Sequence, residues 1–254
     1  MTEMQPIVPA GTGAHPIMLV VIAANALRES AAFYAELFGW TLMPLSAELM
    51  AGSTPGGPTV ALRANVPEGA PASVPFLSVK DVEATLARIV DTGGSIERAP
   101  WSMPMMGTMA RFRDPSGTVY GLTSAIAPAP VASMPMPTGT NPKPPAGAIC
   151  SMEMFATDNA VTPEFFRTLF GWGTANTMPR FVGFDPGAGI QGVFQTHTPA
   201  TTAVSYIFTP DVAAMLTRVD AAGGKRMGDA MGVPGFATFG YFTDPSGTVM
   251  GLIG

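Results

Sequence analysis

A chain of 254 residues, 47% hydrophobic and only 12% charged, has material for two domains with their own cores and too much apolar surface to stay disordered. Its net charge of −5 comes with no basic stripe, so nucleic acid is a poor partner, and its longest apolar runs, such as Ile17–Ala24, fall far short of the ~20 residues of a membrane helix. The acidic start at Glu3 and the single cysteine, Cys150, give no secretory leader and no internal disulfide, which points to the cytoplasm.

In chain order, a short apolar strand is predicted over Pro16–Ile22. A helix follows. Ser30 suits its N-cap, Phe33 and Leu37 share one face, and Gly39 ends it where a left-handed residue is wanted. Trp40 opens strand-and-turn material rich in Gly and Pro. A second strand, Val74–Val79, runs into Asp81, an N-cap, and Gly93-Gly94 stops the second helix. The last hairpin turns at Asp114-Pro115-Ser116-Gly117, the residues a type I turn prefers. Residues 126–147 hold seven prolines in 22 positions, which excludes helix and central strand and marks a linker.

The same order then recurs. RFRDPSGTVYGL (111–122) returns as YFTDPSGTVMGL (241–252), nine of twelve positions alike at an offset of 241 − 111 = 130. FYAELFGW (33–40) returns as FFRTLFGW (165–172), and DVEATLARIVDTGG (81–94) as DVAAMLTRVDAAGG (211–224). Ile149–Phe155 is the matching first strand, Thr162 the matching N-cap, Gly171 the helix stop, Val204–Phe208 the strand before Asp211, and Gly223-Gly224 the last stop. One domain of strand–helix–three strands, done twice, is therefore present twice.

FY..LFGW after the first strand, with DPSGT..GL at the end, resembles the vicinal oxygen chelate superfamily, also called the glyoxalase/bleomycin-resistance/dioxygenase family. The resemblance covers nearly everything outside the linker and the first ten or so residues. It implies an α+β fold of two tandem domains, residues 11–125 and 148–254. Each would be two βαβββ units forming an eight-stranded, half-open barrel with a ligand on its concave face. It also implies a divalent metal held by His and Glu. Carried onto this sequence, the metal positions are Leu19 and Ser151, Val74 and Val204, and Gly121 and Gly251. None of these six is a strong ligand, so no metal and no cofactor are expected.

Other chemistry is scarce. The two histidines, His15 and His197, read as isolated loop residues. There is no GxSxG, CxxC or GxGxxG arrangement, and Cys150 reads as a small buried residue. Glu153 lies two residues from Ser151 and so shares its strand face. It is either an acid/base group or hydroxyl anchor, or a carboxylate satisfied by Arg167, Arg180 or a backbone amide.

By alternation Phe76 and Ser78 share the inward face with Val74, Tyr206 and Phe208 share it with Val204, and Thr123 follows Gly121. Trp101, Met103, Met105 and Met106 read as a loop over the mouth, with Phe236 in the matching segment. Aromatic and Met walls with a few hydroxyls suit a flat, mostly apolar molecule, unless they simply close the barrel on itself. The candidate catalytic residues are Glu153 and Tyr206. The candidate ligand-binding residues are Phe76, Ser78, Trp101, Met103, Gly121, Thr123, Ser151, Phe208, Phe236 and Gly251. The expected function is metal-free binding of a small molecule, for sequestration, resistance, sensing or metal-free catalysis. Two alternatives stand: a metal-dependent lyase, isomerase or dioxygenase using His197, Glu153 and Asp185, or a filled structural module. A tandem chain suits a monomer with an internal pseudo-dimer, or a homodimer.

Overall fold

The computed structural model describes residues 15–104, 106–124, 133–178, 180–196 and 203–254. Met105, His197 and residues 125–132 of the Pro-rich segment lie outside them. The first pass comprises β1 (Ile17–Ala23), α1 (Leu27–Phe38), β2 (Thr41–Ser46), β3 (Leu49–Ser53), β4 (Thr59–Arg63), β5 (Ser73–Ser78), α2 (Val82–Asp91), β6 (Ser95–Met103), β7 (Gly107–Arg113) and β8 (Val119–Thr123). After the two-residue β9 (Ser133–Met134) the second pass begins with β10 (Ile149–Phe155), α3 (Val161–Phe170), β11 (Gly173–Met178), β12 (Phe181–Asp185) and β13 (Gly189–Gln195). It ends with β14 (Ala203–Phe208), α4 (Val212–Ala221), β15 (Lys225–Arg226), β16 (Met231–Val233), β17 (Ala237–Thr243) and β18 (Val249–Ile253).

The fold is α+β, as expected of tandem βαβββ units. One eight-stranded sheet runs β2-β3-β4-β1-β5-β8-β7-β6. The other runs β11-β12-β13-β10-β14-β18-β17-β15, with β16 on β17 and β9 on β13. The described residues divide into two compact units: those within 15–18, 74–133 and 153–203 form the first, and those within 19–73, 134–152 and 204–254 the second. No described helix is long and apolar enough to cross a membrane.

Local chemistry sets the helices. Asp81 and Asp211 cap α2 and α4 by accepting from Ala84 N–H and Ala214 N–H, each at 2.9 Å. Gly39 and Gly171 end α1 and α3 in the left-handed region at φ 68° and 67°. Ser30 and Thr162, expected from the sequence as N-caps, do not hold those places. Ala26 and Ala160 hold those places, and the two hydroxyls serve a longer-range purpose.

In the first unit, Phe112 and Tyr120 meet Phe165, Phe166 and Phe170 of α3, with Trp172, Phe184 and Phe194 behind them. In the second, Phe33, Tyr34 and Phe38 of α1 pack among Trp40 and Phe242. Each unit is pinned by the aspartate of a DPSG turn. Asp244 is buried; it accepts from Ser30 Oγ at 2.9 Å and from Ser246 and Thr248 N–H at 2.9 Å. Asp114 likewise accepts from Thr162 Oγ1, Ser116 Oγ and Thr118 N–H. The type I turns form as expected, with Gly117 N–H on Asp114 O and Gly247 N–H on Asp244 O, both 2.9 Å. Their carboxylates do more than turn the chain. They satisfy hydroxyls on helices far away in sequence. Burial pushes the phenols of Tyr34 and Tyr120 well up, and the neighbouring Asp244 and Asp114 charges push the same way.

Candidate functional site

The parallel pair β5–β8 sets Phe76 directly beside Gly121, and the antiparallel pair β7–β8 sets Arg111 on the other side of Gly121. This face points opposite to Phe112, whose ring packs on Phe165 of α3. A Cβ at 121 would lie 2.2–2.4 Å from Cδ1, Cε1 and Cγ of the Phe76 ring. The ring therefore occupies the space that any side chain at 121 would need.

The second unit repeats the arrangement. Tyr206 lies beside Gly251 on the parallel pair β14–β18, with Tyr241 on the far side. A Cβ at 251 would lie 2.5–3.0 Å from the Tyr206 ring. The last pair of metal positions implied by the resemblance, where the family's pattern DPxGxxxEL carries its Glu, is thus a pair of glycines, each roofed by an aromatic ring from the next strand.

The groups around the two rings differ. In the first unit Arg111 is paired with Glu97 at 2.7 Å, both about one-fifth exposed. Arg98 stacks over Trp101, 3.9 Å from the ring centre. Thr123 is buried and donates to Met106 O at 2.7 Å. In the second unit the Tyr206 and Tyr241 hydroxyls are hydrogen-bonded at 2.5 Å, and Phe239 meets Tyr206 edge-on at 5.9 Å. Phe236 adjoins Phe239 at 6.1 Å.

The other candidates separate. Trp101 and Met103 are not in a loop: they belong to β6, opposite Met109 and Gly107, because register shifts carry that strand to nine residues. Ser78 ends β5; its N–H donates to Pro16 O and its carbonyl faces His15 Nδ1 at 2.9 Å. Ser151 is buried on β10. Glu153, half-buried, accepts from Gln195 Nε2 at 3.4 Å. Arg167 is engaged with Glu164 instead. Asp185 is taken up by Gly187 N–H and Gln191 Nε2, both 2.7 Å. Phe208 lines a cleft beside α4. Burial pushes the Cys150 thiol up to about 12, which disfavours the thiolate a nucleophile needs.

The donor set does not fit a divalent metal. The six aligned positions hold aliphatic, hydroxyl and glycine residues, and no three His, Cys, Asp or Glu side chains converge among the described residues. Sequence reasoning missed Glu97, Arg98, Arg111, Phe239 and Tyr241. A signal existed, since Arg111 and Tyr241 are the first mismatch in the twelve-residue repeat.

Residues 16–120 match the glyoxalase/bleomycin resistance protein/dioxygenase superfamily. That stretch, 105 of the 254 residues, is a domain of the vicinal oxygen chelate superfamily. CFP32 of Mycobacterium tuberculosis (strain CDC 1551 / Oshkosh), which carries a provisional glyoxylase name, is 24% identical to this chain over 238 residues, 87% of each chain. Among solved structures, the Mn(II)-bound glyoxalase from Novosphingobium aromaticivorans has a TM-score of 0.68 at 17% identity, covering 95% of this chain and 82% of that one. The 2,3-dioxygenase LapB from Pseudomonas sp. KL28 has a TM-score of 0.65 at 14% identity, covering 95% and 92%. At these identities the structural likeness speaks for the fold alone.

Proposed function

We propose that this protein works without a metal and holds a small, flat, mostly apolar molecule against the inward faces of its sheets. The observation that carries this reading is the pair of rings on glycine, Phe76 on Gly121 and Tyr206 on Gly251. An aromatic ring takes the place of a carboxylate; Phe76 and Tyr206 are themselves buried, so a planar apolar partner would meet the half-buried groups that border them, Arg111 with Glu97 on one face and Tyr241 with Phe239 on the other. The Tyr206–Tyr241 hydroxyl pair supports a polar handle for a ligand carbonyl or hydroxyl, and Glu153 with Gln195 a second one. Sequestration, sensing, resistance or metal-free turnover all draw on the same binding step. The Mn(II) of the Novosphingobium glyoxalase is a property of that protein.

Two measurements test the reading. Elemental analysis of dialysed protein is expected to find no stoichiometric Mn, Fe, Zn or Ni; one equivalent per chain with side-chain ligands overturns it. A thermal-shift screen of planar aromatic compounds is expected to find ligands that raise Tm by mass action. Tyr206→Ala is expected to abolish such a shift for ligands of the second face. A library that shifts nothing supports sheets whose inward faces are filled.

A further inference from the structure

The two units differ at one corresponding notch, at the C-terminal end of one helix and beside the start of another. In the first unit His15 fills it. Its ring packs edge-on against Phe170 at 5.7 Å, its Nδ1 lies 2.9 Å from Ser78 O, and Arg88 Nη2 closes the rim by donating to Leu169 O at 2.9 Å. The correspondence is fixed by hydrogen bonds: Trp172 Nε1 donates to His15 O and Trp40 Nε1 to Gly147 O, at 3.1 and 2.9 Å. Gly147 thus stands where His15 stands (147 − 15 = 132), and Arg218 where Arg88 stands (218 − 88 = 130).

In the second unit the notch is open. Gly147 has φ 86°, and a Cβ there would lie 2.0 Å from Phe38 O, so no side chain of the protein's own can fill the space from this position. A cleft of about 280 Å³ remains, walled by Leu37, Phe38, Phe208 and Met215. Asp211 also lines it, but its carboxylate is turned to Ala214 N–H as the cap of α4. Arg218 stands at the rim and makes no bond like that of Arg88 among the described residues.

We propose that this cleft binds a small aromatic or heteroaromatic carboxylate, its ring seated on Phe38 as the His15 ring sits on Phe170, its anion at Arg218. The volume is just below the ~300 Å³ at which drug-sized pockets begin, which suits one ring or two fused rings. The lining of the cleft includes none of Phe76, Gly121, Tyr206 and Gly251, though Phe208 is two residues along the strand from Tyr206, so this proposal is tested separately from the reading above.

The test uses the full chain with ¹³C-methyl-labelled Met. Benzoate is expected to shift the Met215 methyl resonance saturably, whereas acetate leaves it unmoved. Arg218→Ala is expected to weaken benzoate about tenfold and leave benzyl alcohol unchanged, the size of a charge-assisted hydrogen bond. Ala214→Trp, placed on the exposed side of α4, is expected to fill the cleft and abolish both. As a check on the analogy, His15→Gly is expected to lower Tm, and imidazole to restore part of it beyond any effect on the wild type. The proposal is overturned if benzoate leaves Met215 unmoved, if Ala214→Trp binds as the wild type does, or if imidazole fails to rescue His15→Gly.

Discussion

Gly121→Ala should be among the costliest single-methyl additions in this protein. The added Cβ falls 2.2–2.4 Å from three atoms of the Phe76 ring, more than 1 Å inside ordinary contact. The ring is itself only 2% exposed, so it has nowhere to swing without displacing other core groups. Overpacking of this kind costs about 1–3 kcal/mol, and a rigid ring puts the expectation near 3. For a protein of this size that is a fall in Tm of roughly 6–12 °C. Phe76→Ala alone should cost about 3–5 kcal/mol through lost burial and a cavity. The two must not add. Once the ring is gone the new methyl enters empty space, so the double variant should be more stable than the sum of the singles by about 2 kcal/mol or more. Urea unfolding followed by tryptophan fluorescence measures the cycle. An additive cycle, or a Gly121→Ala variant within about 0.5 kcal/mol of wild type, would show that the ring does not occupy this space, and the metal-free reading would lose its main support.

Asp244→Ala should cost about 3 kcal/mol, because Ser30 Oγ and the Ser246 and Thr248 N–H groups lose their shared acceptor. Asp244 also carries a pH signature. Burial raises its pKa, against the lowering by hydrogen bonds from Thr248, Ser30 and Ser246. The folded chain therefore holds this proton more tightly than the unfolded chain. The stabilisation is complete below the unfolded value of about 3.9 and is lost as pH rises through the folded one. Wild-type stability measured against Asp244→Asn should accordingly fall with rising pH over that window, and the opposite slope refutes the assignment. Thr162→Val, nearly isosteric, should cost about 1–2 kcal/mol through the lost donor to Asp114. Native protein should resist iodoacetamide near neutral pH, since the Cys150 thiol is buried and pushed up to about 12. Fast alkylation without unfolding would refute that.

What was legible in the sequence is what short-range chemistry decides. Asp81, Asp211, Gly39 and Gly171 act within a few residues of themselves, and each is found in its expected role. Ser30 and Thr162 have the right residue type for an N-cap, yet their hydroxyls answer to Asp244 and Asp114, which lie 214 and 48 residues away. No local rule sees a partner at that distance. Gly121 and Gly251 could be read as points of close approach, but the approaching group could not be named. Phe76 reaches Gly121 only through the register of a parallel pair, and such pairs are joined by long crossovers. Trp101 and Met103 read as loop in the sequence, where Pro100 and Pro104 flank them; in the structure register shifts in β6 keep them in the strand.

The twelve-residue repeat mismatches at three places, Arg111/Tyr241, Arg113/Thr243 and Tyr120/Met250. The first two lie on the glycine face: Arg111 and Tyr241 stand directly opposite Gly121 and Gly251, and Arg113 and Thr243 opposite Val119 and Val249. The turn and the glycine are common to both copies, while the groups that would meet a ligand are not. One face carries an Arg–Glu pair and the other a phenol pair, so the two faces should select different partners. Tyr241→Phe tests this. It removes one hydroxyl of a half-buried pair and should cost about 1 kcal/mol of stability. It should also weaken ligands of the second face that carry a hydrogen-bonding oxygen, and leave untouched those bound beside Arg111. Equal loss for both ligand sets would mean that the two faces do not discriminate.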